Sequence, residues 1–236
     1  LCAFFKNKKL VVRAGWEPTQ NRKKWDIGIF KYLLLFVNSY ISYKFSDKVI
    51  TTSNELKNFI CNTYAIKKNK IKVIPNSIDV NIFKKFKVKK KNNKVINISR
   101  LEKQKNLFTL IDICKLSNLK LDIVGTGSQL NELKKYSKEI KASVSFLGKI
   151  HNFKLLRLLS RYNFYLTSSR IEGSPKSIIE AMASGLPIIG LSADGLKPLV
   201  INKKTGYLLT DIKKVQKKIV YLKNKKKLIK SMGNKA

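Results

Sequence analysis

The sequence predicts an α/β protein with two parallel-sheet domains, of which the first is incomplete and the second is doubly wound. Short apolar runs alternate with longer amphipathic stretches along almost all of the 236 residues, which is typical of strand–helix units around a parallel sheet. The C-terminal part contains six apolar runs, as many as a complete doubly wound sheet needs, whereas the N-terminal part contains three.

Residues 1–83 form the partial domain, with strands predicted at 9–13, 48–52 and 71–74 and helices at 27–45 and 53–62. A lysine-rich, weakly apolar stretch at 84–93 is the predicted linker. Residues 94–236 form the second domain. Its predicted strands are 95–99, 120–124, 143–147, 163–166, 187–190 and 207–209, and its predicted helices are 106–116, 128–138, 153–159, 177–184 and a basic one over 211–230.

The composition is dominated by lysine. Lys and Arg number 50 against 14 Asp and Glu, which gives a net charge of +36, and only six of the 50 are Arg. Two interpretations compete: a polyanion-binding surface, or a genome whose base composition favours Lys, Asn and Ile. We favour the second, because the lysines are spread over the whole chain, whereas a nucleic-acid-binding protein clusters its charge, uses Arg and interleaves aromatics. Specific nucleic-acid binding is therefore not expected. Weak attraction to an anionic membrane surface needs no motif and stays open.

Cysteine usage and hydropathy point to a cytoplasmic protein. Cys2, Cys61 and Cys114 are far apart and form no CxxC pattern, so the sequence indicates neither a disulfide framework nor a zinc site. The longest apolar stretch, residues 32–43, is too short and too polar to span a bilayer.

Ligands of open parallel sheets bind at the carboxyl ends of the strands, so chemistry is expected directly after each strand. Arg100 and Lys105 follow the first strand of the second domain, where a guanidinium and an ammonium at a helix start could hold a diphosphate. Gly125 and Gly127 follow the next strand and suit either a tight turn or a close approach to a ligand. The third glycine of a dinucleotide fingerprint is missing, which argues against NAD.

Residues 168–187 are the densest segment. A predicted strand ends there, a Gly-Ser-Pro loop follows, and Glu172 and Glu180 flank the start of a helix with seven residues between them. This spacing places one carboxylate in the loop and the other about two helical turns along, so both could reach a ligand over the helix start. The loop amides between them would face its phosphates.

The Glu172-x7-Glu180 segment resembles the signature of retaining nucleotide-sugar glycosyltransferases of the GT-B type, a family 4-like group also described as glycosyl transferases group 1. This resemblance implies a fold of two Rossmann-like domains. Further segments match the family in order, namely residues 73–79 with Phe83, 98–101 with Lys105 and Asn106, 123–127, 146–148 and 205–209.

The resemblance implies a role for each matching residue. Arg100 and Lys105 would hold the donor diphosphate and stabilise the leaving group, and Glu172 would lie near the transferred sugar; these three are the implied catalytic residues. Glu180 would accept hydrogen bonds from the ribose. The other implied donor-binding residues are Gly125, Gly127, Lys149, Ile150, Gly173, Ser174, Pro175, Lys176 and Ser177.

The function so implied is transfer of a sugar, with retention of configuration and without a metal ion or cofactor, from a nucleotide-diphosphate sugar to a polysaccharide or lipid-linked acceptor. UDP is the base expected from family frequency, and peripheral association with the inner face of the membrane fits such an acceptor.

The sequence also departs from the family. Asn76-Ser77 replaces the usual Asn-Gly, the family's glycine-rich first loop and acceptor-side histidine have no counterpart, and His151 suits a loop or helix cap. We therefore expect a fragment at both ends with poor turnover. Two alternatives remain: a non-catalytic basic module for anionic surfaces, or a truncated, inactive donor-binding domain. A dinucleotide-binding oxidoreductase shares the fold class but lacks support from the fingerprint.

Overall fold

The computed structural model describes residues 8–21, 28–84 and 94–236. The chain divides into two compact units, residues 1–76 and 77–236. Unit 1 contains a three-stranded sheet and unit 2 a six-stranded sheet, and every strand pair is parallel. The predicted fold class is thereby confirmed.

Unit 1 has the strand order β1-β2-β3, with a helix in each crossover. The side chain of Ser53 caps the second helix by accepting a hydrogen bond from Leu56 N at 3.2 Å. The helices pack on the sheet through a core that includes Val49, Ile60 and Ile71. The elements are β1 (Val11–Ala14), α1 (Ile29–Phe45), β2 (Lys48–Thr51), α2 (Asn54–Tyr64) and β3 (Ile71–Val73), with 3-10 turns at Pro18–Asn21 and Lys68–Lys70.

Unit 2 has the strand order β6-β5-β4-β7-β8-β9, so the chain starts in the middle of the sheet, builds one half and returns to build the other. Its strands are β4 (Lys94–Ile98), β5 (Lys120–Val124), β6 (Val144–Phe146), β7 (Tyr165–Thr167), β8 (Ile188–Leu191) and β9 (Gly206–Leu209). Its helices are α3 (Val80–Lys84), α4 (Leu107–Leu116), α5 (Leu130–Glu139), α6 (Asn152–Leu159), α7 (Lys176–Ala183), α8 (Ile212–Lys223) and α9 (Lys226–Lys235).

The six-stranded sheet is buried on both faces. Val95 of β4 and Ile189 of β8 belong to the core cluster on one face, whereas their neighbours Ile96 and Ile188 belong to the cluster on the other. Because successive strand residues point to opposite faces, a sheet covered on both sides needs apolar residues at nearly every position. This explains the continuous apolar runs that made these strands predictable.

The C-terminal helix prediction is wrong in one respect, since residues 211–230 do not form a single helix. The chain breaks at Asn224 and Lys225, which separate α8 from α9. The break lets α9 place Met232 in the core that α8 already contacts, and it brings Gly233 against Gly185. The predicted linker at 84–93 lies outside the described residues from position 85 onward.

Cys61 and Cys114 are buried free thiols. Burial raises the pKa of Cys114, which makes it a poor nucleophile. Among the helices in the described ranges, none is both long and apolar enough to cross a membrane.

Candidate functional site

The strand order of unit 2 creates a switch point between β4 and β7. These strands are neighbours in the sheet, yet the crossovers that follow them run to opposite sides, to β5 and to β8. A crevice opens at the carboxyl ends of strands at such a point, and ligands of doubly wound sheets bind there. The segments that follow β4 and β7, residues 99–106 and 168–175, contain most of the predicted site residues.

An ion pair joins these two segments. Lys105 Nζ lies 2.6 Å from Glu172 Oε1, and the two side chains are only 14% and 10% exposed. Lys105 belongs to a 3-10 turn after β4, and Glu172 lies in the loop after β7. The sequence predicted both as site residues, and the structure places the two charged groups in direct contact.

Backbone hydrogen bonds hold the same two segments together. Arg170 N donates to Gln104 O at 3.1 Å. The buried hydroxyl of Ser168 lies within hydrogen-bond distance of two carbonyl oxygens, 3.0 Å from that of Lys105 and 2.8 Å from that of Asn106. The position of Lys105 is therefore fixed from its backbone as well as through its ammonium group.

The loop after β7 also packs against the loop after β8. A Cβ added to Gly195 would lie 2.0 Å from Gly173 O and 2.2 Å from Glu172 O, far inside van der Waals contact. Only glycine permits this approach. Three loops at the carboxyl edge thus support one another around Glu172.

The two glycines after β5 are explained by contact with the segment after β4. A Cβ on Gly125, whose φ is +139°, would lie 1.9 Å from Ser99 O, and one on Gly127 would lie 2.5 Å from Leu101 O. The Gly125 N–H donates to Gly148 O at 2.8 Å, so the loop before Lys149 joins the same edge. The predicted close approach at these glycines is made by the protein's own backbone.

Glu180 lies on α7, and its side chain is only 12% exposed. Burial raises the pKa of this carboxyl group, and Lys176, with its Nζ 4.0 Å from Glu180 Oε1, partly opposes the shift. The fully buried Tyr165 connects the start of the helix to β4, since its hydroxyl donates to Ile98 O at 2.9 Å and lies 3.4 Å from Ser177 Oγ. Burial raises the pKa of Tyr165, which keeps it a donor at neutral pH.

The remaining predicted residues lie around this centre. Arg100 is exposed directly after β4, and Lys149 is exposed in the loop after β6, whereas Ile150 is partly buried against the core. Pro175 occupies the position before α7, where no side chain caps the helix. The first backbone N–H groups of the helix therefore carry their partial positive charge at this edge of the sheet.

Three residues of the site were missed in the sequence. Ser168 and Tyr165 support Lys105 and α7 from within, and their hydroxyls gave no signal in segments that looked purely apolar or generic. Gly195 follows β8 directly, so the rule that placed candidates after each strand could have found it. His151 occupies the N-cap position of α6, and its side chain makes no capping hydrogen bond.

Acidic and soft metal ligands are sparse in this region. Across the described ranges, no three His, Cys, Asp or Glu side chains are grouped so that they could hold a metal ion. The charged groups that meet at the crevice are instead one ammonium, one guanidinium and two carboxylates.

The family model described as "Glycosyl transferases group 1" matches residues 79–236, and that described as "Glycosyltransferase Family 4" matches residues 14–82. This chain belongs to the glycosyl transferases group 1 family. The recognition from the sequence is confirmed. Both matches together include the Glu172-x7-Glu180 segment and the segments that were assigned to it in order.

Two relatives illustrate the similarity of this glycosyltransferase chain. An uncharacterised glycosyltransferase of Methanocaldococcus jannaschii is 30% identical over 207 residues, covering 78% of this chain and 48% of the relative. The capsular polysaccharide biosynthesis glycosyltransferase CapM of Staphylococcus aureus is 26% identical over 232 residues, covering 87% of this chain and 60% of the relative. The chain thus spans about half to three fifths of the length of these proteins.

Among solved structures, TarM of S. aureus, crystallised with fondaparinux, alpha-GlcNAc-glycerol and UDP, superposes with a TM-score of 0.83. The sequences are 22% identical, and the match covers 98% of this chain and 47% of TarM. This similarity confirms the GT-B type of fold for the part of the architecture that the chain contains.

Proposed function

We propose that unit 2 binds a nucleotide-diphosphate sugar at the carboxyl edge between β4 and β7, and that the protein transfers the sugar with retention of configuration. The observation that carries the proposal is the Lys105–Glu172 pair at the switch point, in a chain of this family. A cation for phosphate and a carboxylate for sugar hydroxyls meet there on fixed backbone.

In this proposal Lys105 and Arg100 contact the diphosphate. An ammonium has three N–H donors, so Lys105 keeps its bond to Glu172 while it donates to a phosphate oxygen. Arg100 supplies a second cation from the exposed side of the crevice. As the bond between the anomeric carbon and the diphosphate oxygen breaks, its electron pair stays on the diphosphate, and fixed positive charge there stabilises the transition state.

Glu172 is proposed to accept hydrogen bonds from the transferred sugar, and Glu180 from the ribose. The N-terminus of α7 and the loop Gly173, Ser174 and Pro175 offer backbone donors to phosphate oxygens. The acceptor oxygen attacks the anomeric carbon on the face that the diphosphate leaves, and the acceptor proton passes to the departing phosphate oxygen. No step requires a metal ion, so we propose metal-independent catalysis.

The nature of the substrates is also a proposal. UDP is the favoured nucleotide, because TarM was crystallised with UDP, and a polysaccharide or lipid-linked acceptor fits the capsular role that the name of CapM states. Gly125, Gly127, Lys149, Ile150, Lys176 and Ser177 are proposed to complete the donor site. We further propose a cytoplasmic location with weak attachment to an anionic membrane, and an organisation of residues 1–83, 84–93 and 94–236.

The alternative is a basic module that binds anionic surfaces without catalysis, which the charge of +36 favours. Thermal-shift titrations with UDP, GDP, ADP and NAD distinguish the two, because a ligand of the folded state raises its melting temperature. We expect a shift with one nucleoside diphosphate that Arg100→Ala abolishes and the exposed control Arg157→Ala retains. Equal shifts with all four nucleotides, fading together as salt rises, would instead support the basic module.

A further inference from the structure

Unit 1 contains a buried carboxylate that the proposed donor site does not use. Glu17 is 2% exposed. Its Oε1 accepts hydrogen bonds from Thr19 Oγ1 at 3.1 Å, Ser39 Oγ at 3.0 Å and Tyr64 Oη at 3.1 Å, and its Oε2 accepts one from the Tyr43 hydroxyl. Within residues 8–21, 28–84 and 94–236, no Lys, Arg or His side chain forms an ion pair with it.

The two tyrosines are held as hydrogen-bond donors. Burial and the hydrogen bond to Glu17 raise the pKa of Tyr43, and burial together with the Glu17 charge raises the pKa of Tyr64 to about 12. Both hydroxyls therefore keep their protons at neutral pH. Four hydroxyl groups thus surround one carboxylate.

This arrangement fixes a loop rather than a core. A carboxylate without a cation is costly to bury, and an apolar side chain would fill the space without that cost. The hydroxyls come from the 3-10 turn, from α1 and from α2, so Glu17 ties the segment after β1 to both helices. What it gains is a single conformation for residues 15–21, here named the Trp16 loop.

The Trp16 loop lies at the carboxyl edge of the three-stranded sheet. Thr52 Oγ1, after β2, donates to Gly15 O at 3.2 Å, and Arg13 of β1 donates to Asn76 Oδ1, after β3, at 2.6 Å. In a parallel sheet this is the edge at which ligands bind. Next to the buried Glu17, Trp16 remains 40% exposed.

We propose that the Trp16 loop is a saccharide subsite of unit 1, in which the indole of Trp16 stacks on the apolar face of a pyranose ring and Glu17 is the positioning residue. A flat, rigid aromatic ring offers a large contact area with little loss of side-chain freedom, and a pyranose exposes C–H groups on one face. The inference rests on the proposed function, for which the bound sugar is the acceptor.

Tryptophan fluorescence measures such stacking directly. The chain has two tryptophans, so Trp25→Phe leaves Trp16 as the single emitter. In this background we would titrate methyl α-glucoside, methyl β-galactoside and N-acetylglucosamine, and in parallel titrate UDP by calorimetry. We expect at least one of the three sugars to change the emission in a saturable way, with an affinity that UDP binding to unit 2 does not depend on.

Three further variants test whether Glu17 positions the loop. Glu17→Gln and Tyr43→Phe should weaken sugar binding by at least about fivefold, whereas Tyr40→Phe, a partly exposed tyrosine of the same helix, should stay within about twofold. All three should retain UDP affinity within about twofold. Tyr43→Phe keeps the ring and carries the test if Glu17→Gln fails to fold.

The outcomes separate this inference from the proposed function. Sugar-independent emission in a protein that binds UDP overturns the subsite and leaves the donor site intact. Lower melting temperatures with unchanged sugar affinity in the Glu17 and Tyr43 variants would show a purely structural role and overturn the positioning claim. A saturable sugar response without any UDP binding supports the subsite and contradicts the proposed donor site.

Discussion

Breaking the Lys105–Glu172 pair should destabilise unit 2 strongly. The two charged atoms are 2.6 Å apart, and the side chains are 14% and 10% exposed, so neither charge is well solvated. Removing one member of a buried pair leaves an uncompensated charge, which costs about 3–5 kcal/mol. Since a tenth of each side chain still reaches water, we expect Glu172→Ala to cost about 3 kcal/mol, at the lower end of that range.

The assay is a double-mutant cycle with Glu172→Ala, Lys105→Met and the double variant, followed by thermal unfolding. At about 2–4 °C per kcal/mol for a chain of this length, each single variant should melt about 6–12 °C lower. The double variant should lose less than the sum, because no charge is left unpaired. The matched control is the exposed i,i+4 pair of Lys135 and Glu139, 3.9 Å apart, whose loss should hardly change the melting temperature.

Additive effects in this cycle would refute the reasoning. A coupling energy below about 0.5 kcal/mol would mean that the pair behaves like a surface ion pair despite its burial. The loops after β4 and β7 would then be held by their backbone bonds alone, and Glu172 would be free to serve only the ligand.

Three other substitutions have defined outcomes. Gly195→Ala should cost about 1–3 kcal/mol of stability and weaken UDP binding, because its Cβ would enter the loop that contains Glu172, whereas Gly15→Ala meets nothing within 4 Å and should be neutral; thermal unfolding with and without UDP measures both. Burial raises the pKa of Glu180, so the folded state binds the proton more tightly and wild-type stability falls as pH rises above the usual range of glutamate. Glu180→Gln should therefore melt at a higher temperature than wild type at pH 7, and melting curves at several pH values should show the difference vanish below about pH 4. Tyr162→Phe removes a 2.5 Å hydrogen bond to the buried Asp122 and should cost about 1.5–3 kcal/mol in denaturant unfolding without changing UDP affinity, because it lies away from the carboxyl edge.

The sequence was most informative where both faces of the sheet are covered. Strands such as β5 and β8 are almost entirely apolar, and their spacing with the amphipathic helices predicted both their number and the doubly wound class. The helix after residue 211 was harder, because its break at Asn224 depends on where Met232 finds the core. No local pattern contains that tertiary requirement.

For the site, the sequence predicted which residues meet but not how they are held. The motif placed Lys105 and Glu172 after neighbouring strands, and their contact follows from the strand order. The support from Ser168 and Gly195 depends on loops that approach each other only in three dimensions. The same is true of Glu17, whose four hydroxyl partners lie up to 47 positions away along the chain.

The most direct test of the central claim is the structure of this chain crystallised with UDP. The account predicts the diphosphate at the carboxyl ends of β4 and β7, with Lys105 Nζ within hydrogen-bond distance of a phosphate oxygen and the ribose hydroxyls on Glu180. A nucleotide bound at any other edge of the sheet, or one held only by surface lysines, would contradict it.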